Sequence, residues 1–560
     1  MRSPSNAIPA IDSQAERLAA LKSPKQKVAF ISVFDKTGLE PLAKALVEDF
    51  GYVILSTGGT KKYLEERGIP AVESGDITGF GELLGGRVKS LHPSIFAAIL
   101  AERAKADQPD YEMPEFLIDT VIVNLYPFEK ERDEQAFNPS ADPHHLLHFI
   151  DIGGSALIRA AAKNYLDVVI LSDERQYGDY LCELKNGNGA TSEAFRKKLA
   201  IEAFRRSVAY DSAIAAELSA GFSKDQALLP EQLTLSLCKI QGLRYGENPH
   251  QKAALYGIGT DQAPFKLLSG KELSFNNILD MASAWGLISE FSPAQNGSNQ
   301  KQYACAVIKH NNPCGVAVSK QSLSDAYQTA FNVDPLSAFG GVVAFNNPVD
   351  ADTAKLMKDV FLEVIIAPEF NQDAIEILSA KKNLRLVSQP LLQTEKTNSQ
   401  SLFEYKQVAP NLLLAQFSDP SQPTAIDALV GNAQVTVASQ AKPSQAQLAD
   451  LAFAWKVVKH VKSNAIVLAK NGRTVGIGVG QTSRIGALEN ALKIACDEAK
   501  DAVLASDGFL PHEDNIHAAA QARVSAIIQP GGSIKDKDVV ALADQNAMAM
   551  VMTGVREFKH

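Results

Sequence analysis

Residues 27–57 read KVAFISVFDKTGLEPLAKALVEDFGYVILST, and this stretch decides the fold of the N-terminal part of the chain. The apolar run Val28–Val33 predicts a buried strand, and Tyr52–Leu55 predicts a second one. Further strands are predicted at Thr120–Leu125 and Val168–Leu171. Between the first two strands, apolar residues recur at helical spacing, namely Leu39, Leu42, Ala43, Leu46 and Val47. Strands that alternate with helices predict an α/β fold with a parallel sheet, whose ligands bind at the carboxyl ends of the strands.

The C-terminal part of the chain repeats this kind of pattern after a helical segment. Residues 190–230 have a mainly helical pattern, which we interpret as a bridge between two domains. A second α/β region begins near residue 235, with strand candidates at Ala304–Ile308, Gly341–Phe345, Ala465–Ala469 and Val524–Ile528. Residues 416–448 are rich in Ser, Gln, Ala and Pro and are expected to form a surface connection within this region. We therefore expect a polar extension over residues 1–25, one domain over 26–220 that includes the bridge, and a second region over 235–560.

Composition limits the classes of protein to which the chain can belong. Its 560 residues favour at least two domains, and its formal net charge of -9 argues against a nucleic-acid partner. No apolar run approaches the roughly 20 residues that span a bilayer, and the N-terminus lacks the apolar core of a signal peptide. The five cysteines are scattered, without CxxC pairs or zinc-type spacing. This usage predicts a reducing, cytoplasmic compartment and no metal site.

Loops at the predicted strand ends have the composition of a phosphate site. Ser56-Thr57-Gly58-Gly59-Thr60 follows the second strand, and its glycines and hydroxyl groups can present several donors to an anion. An ordinary turn between a strand and a helix has the same composition. The loop SVFDKTG adds Ser32 and Lys36, and GRVKSLHP adds Arg87 and Lys89, which would equally suit a solvated basic loop. Together the three loops favour a phosphate site at one edge of the first sheet.

The segment IDIGGSALIRAAAKN, residues 150–164, places polar groups at both ends of a predicted helix. Asp151 precedes a Gly-Gly turn, and an Asp in that position is often an N-cap. Lys163 lies three turns into the helix, where a Lys is often a partner of the helix dipole. Taken singly, both residues favour these structural roles.

The segment VIKHNNPCG, residues 307–315, is the most informative part of the second region. A predicted strand delivers Lys309 and His310 side by side to a turn. A His titrates near neutrality and can act as a base for an amine nucleophile, and an adjacent cation can stabilise an oxyanion. The structural alternative is a strand-end His bonded to the backbone. The later stretch GIGVGQ, residues 476–481, lacks the spacing of a dinucleotide-binding loop.

Five segments occur in the order seen in a known family, and they are SVFDKTGL, STGGT, GRVKSLHP, NLYPF and IDIGGSALIRAAAKN. Residues 26–220 thereby resemble the IMP cyclohydrolase domain of the bifunctional purine enzymes, which has a methylglyoxal-synthase-like fold. The resemblance implies that this domain cyclises a formylated ribonucleotide, FAICAR, to IMP with loss of water. It implies a nucleotide-binding set of Ser32, Lys36, Ser56, Thr57, Gly58, Gly59, Arg87, Ser90 and Asn124. It also implies four catalytic residues, Lys89 together with Tyr126, Asp151 and Lys163 around the reacting formamido and carboxamide groups.

The second region resembles the formyltransferase domain of the same family through LRYGENPHQ, VIKHNNPCG, VDPLSAFGG, KSNAIVLAKNGRTVGIGVGQTSRI, SDGFLPHEDNI, QPGGSIKD and TGVREFKH. That domain contains two cytidine-deaminase-like α/β subdomains and transfers a formyl group from 10-formyltetrahydrofolate to the ribonucleotide AICAR. The resemblance implies His310 as the base for the substrate amine and Lys309 as the residue that stabilises the transition state. It implies ribonucleotide binding by Arg244, Tyr245, Gly340, Glu363, Asn464 and Arg484. It implies folate binding by Ile485, Phe509, Asp514, Ser533 and Arg556.

The resemblance also implies a homodimer, small-molecule substrates rather than nucleic acid or membrane partners, and no metal or redox cofactor besides the folate co-substrate. The chain departs from the family pattern in LHPSIFAAIL, where Ser94 and Phe96 stand in place of a Lys and a His, and at Phe34, which is usually a smaller residue. Two alternatives remain for the first domain. It could be a methylglyoxal synthase, which would not need the second region, or a nucleotide-sensing module that binds without turnover. An assay for the purine product separates all three.

Overall fold

A computed structural model describes residues 14–23, 25–81, 90–135, 144–220, 231–292, 302–391, 403–417 and 435–560. The chain divides into two compact units, Met1–Ser236 and Leu237–His560. Within the described ranges, no helix combines the length and the apolar character needed to cross a membrane.

The first unit is built on a parallel sheet of five strands among its described residues. They are β1 (Val28–Val33), β2 (Val53–Ser56), β3 (Val72–Glu73), β4 (Thr120–Asn124) and β5 (Val169–Leu171). Their order is β3-β2-β1-β4-β5, and each pairing is parallel. The apolar run that predicts β1 is buried at the centre of the sheet. The carboxyl ends of β1, β2 and β4 therefore lie side by side, and we call this border the first edge.

The helices of the first unit pack with this sheet into one continuous core. The longest, Glu193–Ala220, packs against the helix Ile152–Lys163 and against β5. The helical pattern predicted from residue 190 is confirmed up to residue 220, and residues 221–230 lie outside the described part. The other α-helices are Gln14–Leu21, Leu39–Glu48, Gly58–Glu65, Ser74–Thr78, Pro93–Leu100, Phe128–Gln135 and Tyr177–Asn186, and short 3₁₀ helices span Arg103–Lys105, His145–Phe149 and Glu174–Gln176.

The second unit contains a sheet of twelve described strands that is made of two topological repeats. The first repeat is β8 (Lys266–Ser269), β9 (Tyr303–Ile308), β10 (Pro313–Ser319), β11 (Val342–Phe345), β12 (Val364–Ala367) and β13 (Arg385–Ser388). The second is β16 (Thr436–Val437), β17 (Ile466–Lys470), β18 (Arg473–Gly478), β19 (Val503–Ser506), β20 (Ala526–Gln529) and β21 (Ala549–Met552). Separate two-stranded ribbons are formed by β6 (Leu237–Leu243) with β7 (Ala253–Ile258) and by β14 (Phe403–Ala409) with β15 (Leu412–Phe417).

Each repeat follows one plan, an antiparallel hairpin beside three parallel strands. The hairpins are β9–β10 and β17–β18, and the parallel sets are β11–β13 and β19–β21. The strand order is β16-β21-β20-β19-β17-β18-β10-β9-β11-β12-β13-β8, so the two hairpins meet at the centre. This duplication fits the two α/β subdomains that the resemblance implied.

The central pairing of β10 with β18 is antiparallel, so the two repeats run in opposite directions. The register places the end of β9 beside the start of β11, with Ile308 opposite Val342. It places the start of β17 beside the ends of β18 and β19, with Ile466 opposite Gly478 and Ser506. The amino ends of the strands β11, β12 and β13 and the carboxyl ends of β19, β20 and β21 therefore lie along one border of the sheet, which we call the second edge.

Helices cover both faces of this sheet. Phe275–Ser289 and Gln445–Val458 share one core that spans both repeats, whereas the opposite face has a separate core for each repeat. Alternate strand residues point to opposite faces, so Ala306 lies in the shared core and Val307 in the core of the first repeat. The remaining helices are Leu323–Phe331, Pro335–Ala338, Ala351–Met357, Gln372–Ser379, Arg484–Ala495, Asp514–Gln521 and Asp536–Gln545, with a 3₁₀ helix at Cys496–Ala499.

The α/β class predicted from the sequence is confirmed, and each predicted strand is present with small shifts at its ends. The expected connection over residues 416–448 is described only in part, because residues 418–434 lie outside the described ranges. Its later part is more regular than expected. It contains the edge strand β16, and its last residues begin the helix Gln445–Val458.

Candidate active sites

The predicted phosphate loop lies at the first edge, where β1 and β2 end side by side. Ser32 Oγ and Thr57 Oγ1 are 2.9 Å apart, and Ser56 Oγ donates a 2.8 Å hydrogen bond to the Ile31 carbonyl. The helix Gly58–Glu65 begins here, with Thr57 as its N-cap residue. The backbone N–H of Gly58 already donates to Glu73 Oε1 at 3.0 Å. An acidic oxygen thus sits at a helix start, as expected where the backbone favours anions.

The loop after β1 is held in place by the side chain of Asn124. Its Oδ1 accepts from the backbone N–H groups of Phe34 and Asp35 at 2.6 and 3.1 Å, and its Nδ2 donates to the Asp35 carbonyl at 2.7 Å. The next residue is Lys36, whose Nζ donates to the Phe34 carbonyl at 3.0 Å. Asn124 therefore fixes the loop that carries Lys36, which adds a positioning role to the substrate-binding role expected of it.

Tyr126 and Asp151 also lie at the first edge, one just after β4 and the other at the start of the helix Ile152–Lys163. The Tyr126 ring packs edge-on against Phe34 with centroids 5.3 Å apart. Asp151 Oδ1 caps the helix by accepting from Gly154 N at 2.7 Å, so the predicted N-cap is confirmed. The Asp151 backbone N–H donates to the hydroxyl of Tyr210 at 2.9 Å.

Tyr210 is a residue of this site that sequence reasoning missed. Its hydroxyl joins the Asp151 N–H to the Phe149 carbonyl, to which it donates at 2.5 Å. Burial raises the pKa of Tyr210 to about 12, so it remains a neutral donor. Nothing in its helical sequence context distinguishes it from an ordinary core tyrosine. Ser90 is close by as well, because a Cβ added at Gly153 would lie 2.8 Å from its Oγ.

Lys163 does not share the first edge with Asp151. The two residues lie at opposite ends of a helix of 12 residues, which at 1.5 Å per residue separates them by about 18 Å. The neighbouring Asn164 donates to the carbonyls of Ile99 and Ala101, at the opposite border of the sheet. Within one chain the backbone positions of Asp151 and Lys163 are therefore far apart, and the expectation that they surround the same reacting groups stays a prediction. Arg87 and Lys89 lie outside the described residues.

Lys309 and His310 form the turn between β9 and β10 at the second edge. Lys309 Nζ donates to the Phe339 carbonyl at 2.5 Å. The side chain of His310 is 79% exposed, with its Nδ1 3.9 Å from Asp280 Oδ2, too far for a hydrogen bond but close enough for an ion pair. Asp280 also accepts from the Asn311 N–H at 2.7 Å, and burial raises the pKa of its carboxyl group. Asp280 was missed by sequence reasoning because no motif surrounds it.

Gly340 and Glu363 lie at the same edge, just before β11 and β12. Gly340 has a φ of 73°, and a Cβ there would lie 3.1 Å from the Phe361 ring and 3.8 Å from Lys309 Nζ. Only glycine suits this close and left-handed position. Glu363 Oε2 accepts from Arg385 Nη1 at 2.6 Å, and Arg385 is buried. Arg385 is a further residue that sequence reasoning missed.

The second repeat adds Asn464 and Arg484 to the same edge. The backbone N–H of Lys462 donates to Asn312 Oδ1 at 3.0 Å, which ties the loop before β17 to the His310 turn. Arg484 Nη2 donates to Asn464 Oδ1 at 2.8 Å, and Nη1 pairs with the carboxylate of Asp507. Asp507 is fully buried. It lies in the family-like segment SDGFLPHEDNI, but the resemblance implied no role for it.

The residues expected to face folate also flank the second edge. Phe509 and Asp514 follow β19, Ser533 follows β20, and Arg556 follows β21. The fifth residue, Ile485, is the second residue of the helix Arg484–Ala495, and the Arg556 guanidinium lies 5.2 Å from the centre of the Phe558 ring. Carboxyl ends of parallel strands are where ligands bind in such sheets.

Arg244 and Tyr245 stand on the segment after β6, and their side chains contact each other at 2.9 Å. The Glu247 carbonyl in the same loop accepts from Asn276 Nδ2 at 3.2 Å. Asn276 lies one helical turn before Asp280, which contacts the His310 turn. The structure thus connects this loop to the second edge through one helix.

Together these features define a class of protein, a two-unit α/β protein with polar residues at one edge of its first sheet and a duplicated second sheet that gathers its polar residues at one edge. A family model described as an MGS-like domain matches residues 38–152. Another, described as AICARFT/IMPCHase bienzyme, matches residues 161–494. Among the described residues, no group of three or more His, Cys, Asp or Glu side chains is arranged to hold a metal ion.

Curated relatives match along almost the full chain. Proteins named "Bifunctional purine biosynthesis protein PurH" from Rippkaea orientalis, Persephonella marina and Synechococcus elongatus are 43%, 44% and 45% identical to it. Each comparison covers 95% of this chain and 99–100% of the relative. The chain therefore belongs to the AICARFT/IMPCHase bienzyme family, and the prediction of a bifunctional enzyme of purine biosynthesis is confirmed.

Proposed function

We propose that the first edge carries the cyclohydrolase reaction, the closure of FAICAR to IMP. The observation that carries this assignment is the meeting of two strand ends at the start of one helix. Ser32 contacts the N-cap residue Thr57, and Val33, at the start of the Lys36 loop, exchanges backbone hydrogen bonds with the hydroxyl of Thr60. These groups would hold the nucleotide phosphate. Tyr126 and Asp151 at the same edge would then face the reacting end of the substrate.

In the closure, the carboxamide nitrogen attacks the formyl carbon and loses one proton. The formamido nitrogen then loses its proton and forms a double bond to that carbon, and the former formyl oxygen leaves with the two protons as water. Both reacting groups belong to one bound molecule. Orientation can therefore supply a large share of the rate, about 7–11 kcal/mol for well-aligned intramolecular attack. Asp151 and Tyr126 are suited to accept and return protons at these atoms.

The phosphate assignment is tested by Thr57→Val, which removes one hydroxyl and keeps the shape of the side chain. We expect the KM for FAICAR to rise about tenfold with little change in kcat, because a hydrogen bond to a charged group is lost in both ground and transition states. Thr191→Val, just before the helix Glu193–Ala220, is the control. An unchanged KM in Thr57→Val would remove Thr57 from the phosphate site.

We propose that the second edge transfers the formyl group, with His310 as the base. The amine of AICAR attacks the formyl carbon of 10-formyltetrahydrofolate while His310 takes its proton. The carbonyl oxygen gains negative charge, which Lys309 stabilises. The carbon–N10 bond then breaks, and the proton passes to the folate nitrogen. The exposure of the His310 ring supports this role, because it leaves the ring open to a bound amine, and Asp280 lies beside it at 3.9 Å.

The test is single-turnover formyl transfer by His310→Ala at saturating substrates. We expect the rate to fall about 10²–10⁴-fold, the usual range for a general base, while cyclisation of supplied FAICAR is unchanged. His145→Ala, which removes a partly exposed His from the first unit, is the control. Transfer by His310→Ala at the wild-type rate would show that the base is another group.

Three finer assignments are also proposals. The formyl donor is 10-formyltetrahydrofolate, the enzyme is a homodimer, and it works in the cytoplasm, where its free thiols would stay reduced. Sedimentation of the full chain tests the second. We also propose that the boundary between the two activities lies between residues 220 and 237, where the chain divides into its compact units.

A further inference from the structure

Asp507, which follows β19 at the second edge, has a fully buried side chain. Its Oδ1 accepts from Arg484 Nη1 and, at 3.2 Å, from the backbone N–H of Ala465. Its Oδ2 accepts from the hydroxyl of Ser463. Both oxygens of one buried carboxylate are therefore used, and they hold two separate segments of the chain.

The two segments are those expected to bind the ribonucleotide. Arg484 Nη1 also donates to Ser506 Oγ at 3.0 Å, and its Nη2 donates to Asn464 Oδ1 at 2.8 Å. Asn464 lies between Ser463 and Ala465, the two residues that contact Asp507. The carboxylate thus balances the charge of Arg484 and fixes the turn that presents Asn464.

The main chain of Asp507 reaches a third segment, residues 554–560. Its carbonyl accepts from the Glu557 N–H at 3.0 Å. At the next residue, a Cβ on Gly508 would lie 2.5 Å from the Phe558 ring and 2.6 Å from Arg484 Nη2. This close packing lets the segment with Arg556 lie directly against Arg484. Arg556 is one of the residues expected to face folate.

We propose that Asp507 is a positioning residue that couples the nucleotide side and the folate side of the formyltransferase site. Its carboxylate sets Arg484 and Asn464. It also holds the hydroxyl of Ser463, which accepts from the Lys559 N–H at 3.2 Å and so sets the segment that carries Arg556. The proposal rests on the formyltransferase function proposed for the second edge. It adds that both substrates depend on one buried group that touches neither of them.

Asp507→Asn in the full-length enzyme is the direct test, because the amide keeps the shape but removes the charge and places an N–H₂ group among donors. We expect the KM values for AICAR and for 10-formyltetrahydrofolate each to rise about tenfold or more, the scale of a lost hydrogen bond to a charged group. Cyclisation of FAICAR by the same preparation should stay within about twofold of the wild type, since a loss of charge-assisted contacts at the second edge leaves the first edge intact.

Asn346→Asp is the matched control, a buried polar side chain that joins backbone groups at the opposite border of the same sheet. It should lower thermal stability and leave both KM values unchanged. Ser463→Ala removes one contact of the carboxylate and is the second variant if Asp507→Asn does not fold. It should raise both KM values by a smaller factor.

Wild-type KM values in Asp507→Asn would overturn the proposal. If Asp507→Asn does not fold, wild-type KM values in Ser463→Ala would overturn it. An increase for one substrate alone would overturn the coupling. Equal KM changes in Asn346→Asp would also overturn it, because general loosening of the sheet would then explain the effect. Failure of the proposed function would be seen in a different protein, because the wild-type enzyme itself would then not transfer the formyl group.

Discussion

Gly154 offers a sharp test of the first edge, because its missing side chain leaves room for the Asp151 carboxylate. A Cβ at Gly154 would lie 2.3 Å from Asp151 Oδ2 and 2.8 Å from its Cγ. Ordinary contact begins near 3.4 Å, so in Gly154→Ala the carboxylate must move by about 1 Å. A displacement of that size can cost about 10²-fold in rate. We therefore expect FAICAR cyclisation to fall by roughly this factor.

The same substitution should leave the stability of the first unit almost unchanged. Loss of the Asp151 cap costs about 1 kcal/mol, whereas replacing a helical Gly by Ala gains about 0.8–1.0 kcal/mol. The two terms nearly cancel, so slower cyclisation cannot be ascribed to unfolding. The assay is cyclisation of supplied FAICAR together with thermal unfolding, and formyl transfer by the same protein serves as an internal reference.

Gly178→Ala is the matched control, since a Cβ at Gly178 would meet nothing within 4 Å. It should be as active as the wild type and slightly more stable. If Gly154→Ala cyclises FAICAR as fast as Gly178→Ala, the Asp151 carboxylate has no role that depends on its position.

Three further predictions concern the rest of the molecule. Arg385→Lys should raise the KM for AICAR several-fold with little change in kcat in steady-state kinetics, because Glu363 loses its 2.6 Å partner. An unchanged KM would show that Glu363 does not bind the nucleotide. Glu290 is 2.9 Å from Lys459 and 3.1 Å from His460; burial alone would raise the pKa of Glu290, but these partners outweigh it and lower the pKa from 4.5 to about 2. The stabilisation by the Glu290 carboxylate is therefore complete above pH 4.5 and is lost as the pH falls toward 2. In urea unfolding, Glu290→Gln should have a lower free energy of unfolding than the wild type at pH 7, and this difference should narrow below pH 4.5. A difference that does not depend on pH would contradict this prediction. A fragment of residues 1–236 should cyclise FAICAR without folate, and a folded but inactive fragment would place part of that site elsewhere.

The sequence predicted the strands well because their signals are local. The run Val28–Val33 is apolar at nearly every position, as a strand covered on both faces requires, and it became β1. The loops at the first edge followed from those strand ends, because parallel strands present their carboxyl ends together. The position of Lys163 could not be read from its motif. A motif groups residues that are close in sequence, but 12 residues of helix put Asp151 and Lys163 about 18 Å apart.

The joining of two repeats into one sheet was beyond sequence reasoning. It depends on the pairing of Ala317 with Arg473, between residues far apart in the chain, and no local pattern encodes such a contact. Asp280 and Asp507 were missed for a related reason. Each is one carboxylate on an ordinary helix or strand end, and its role depends on the residues that the fold brings to it.

We propose that two separate edges of one chain carry two successive reactions. The most direct measurement is the product distribution from AICAR and 10-formyltetrahydrofolate with His310→Ala, with Gly154→Ala, and with an equimolar mixture of the two proteins. We expect almost no formylated product from the first variant, accumulation of FAICAR from the second, and IMP from the mixture. A mixture that fails to make IMP, or a His310→Ala protein that makes IMP from AICAR at the wild-type rate, would contradict the assignment of the two reactions to two edges.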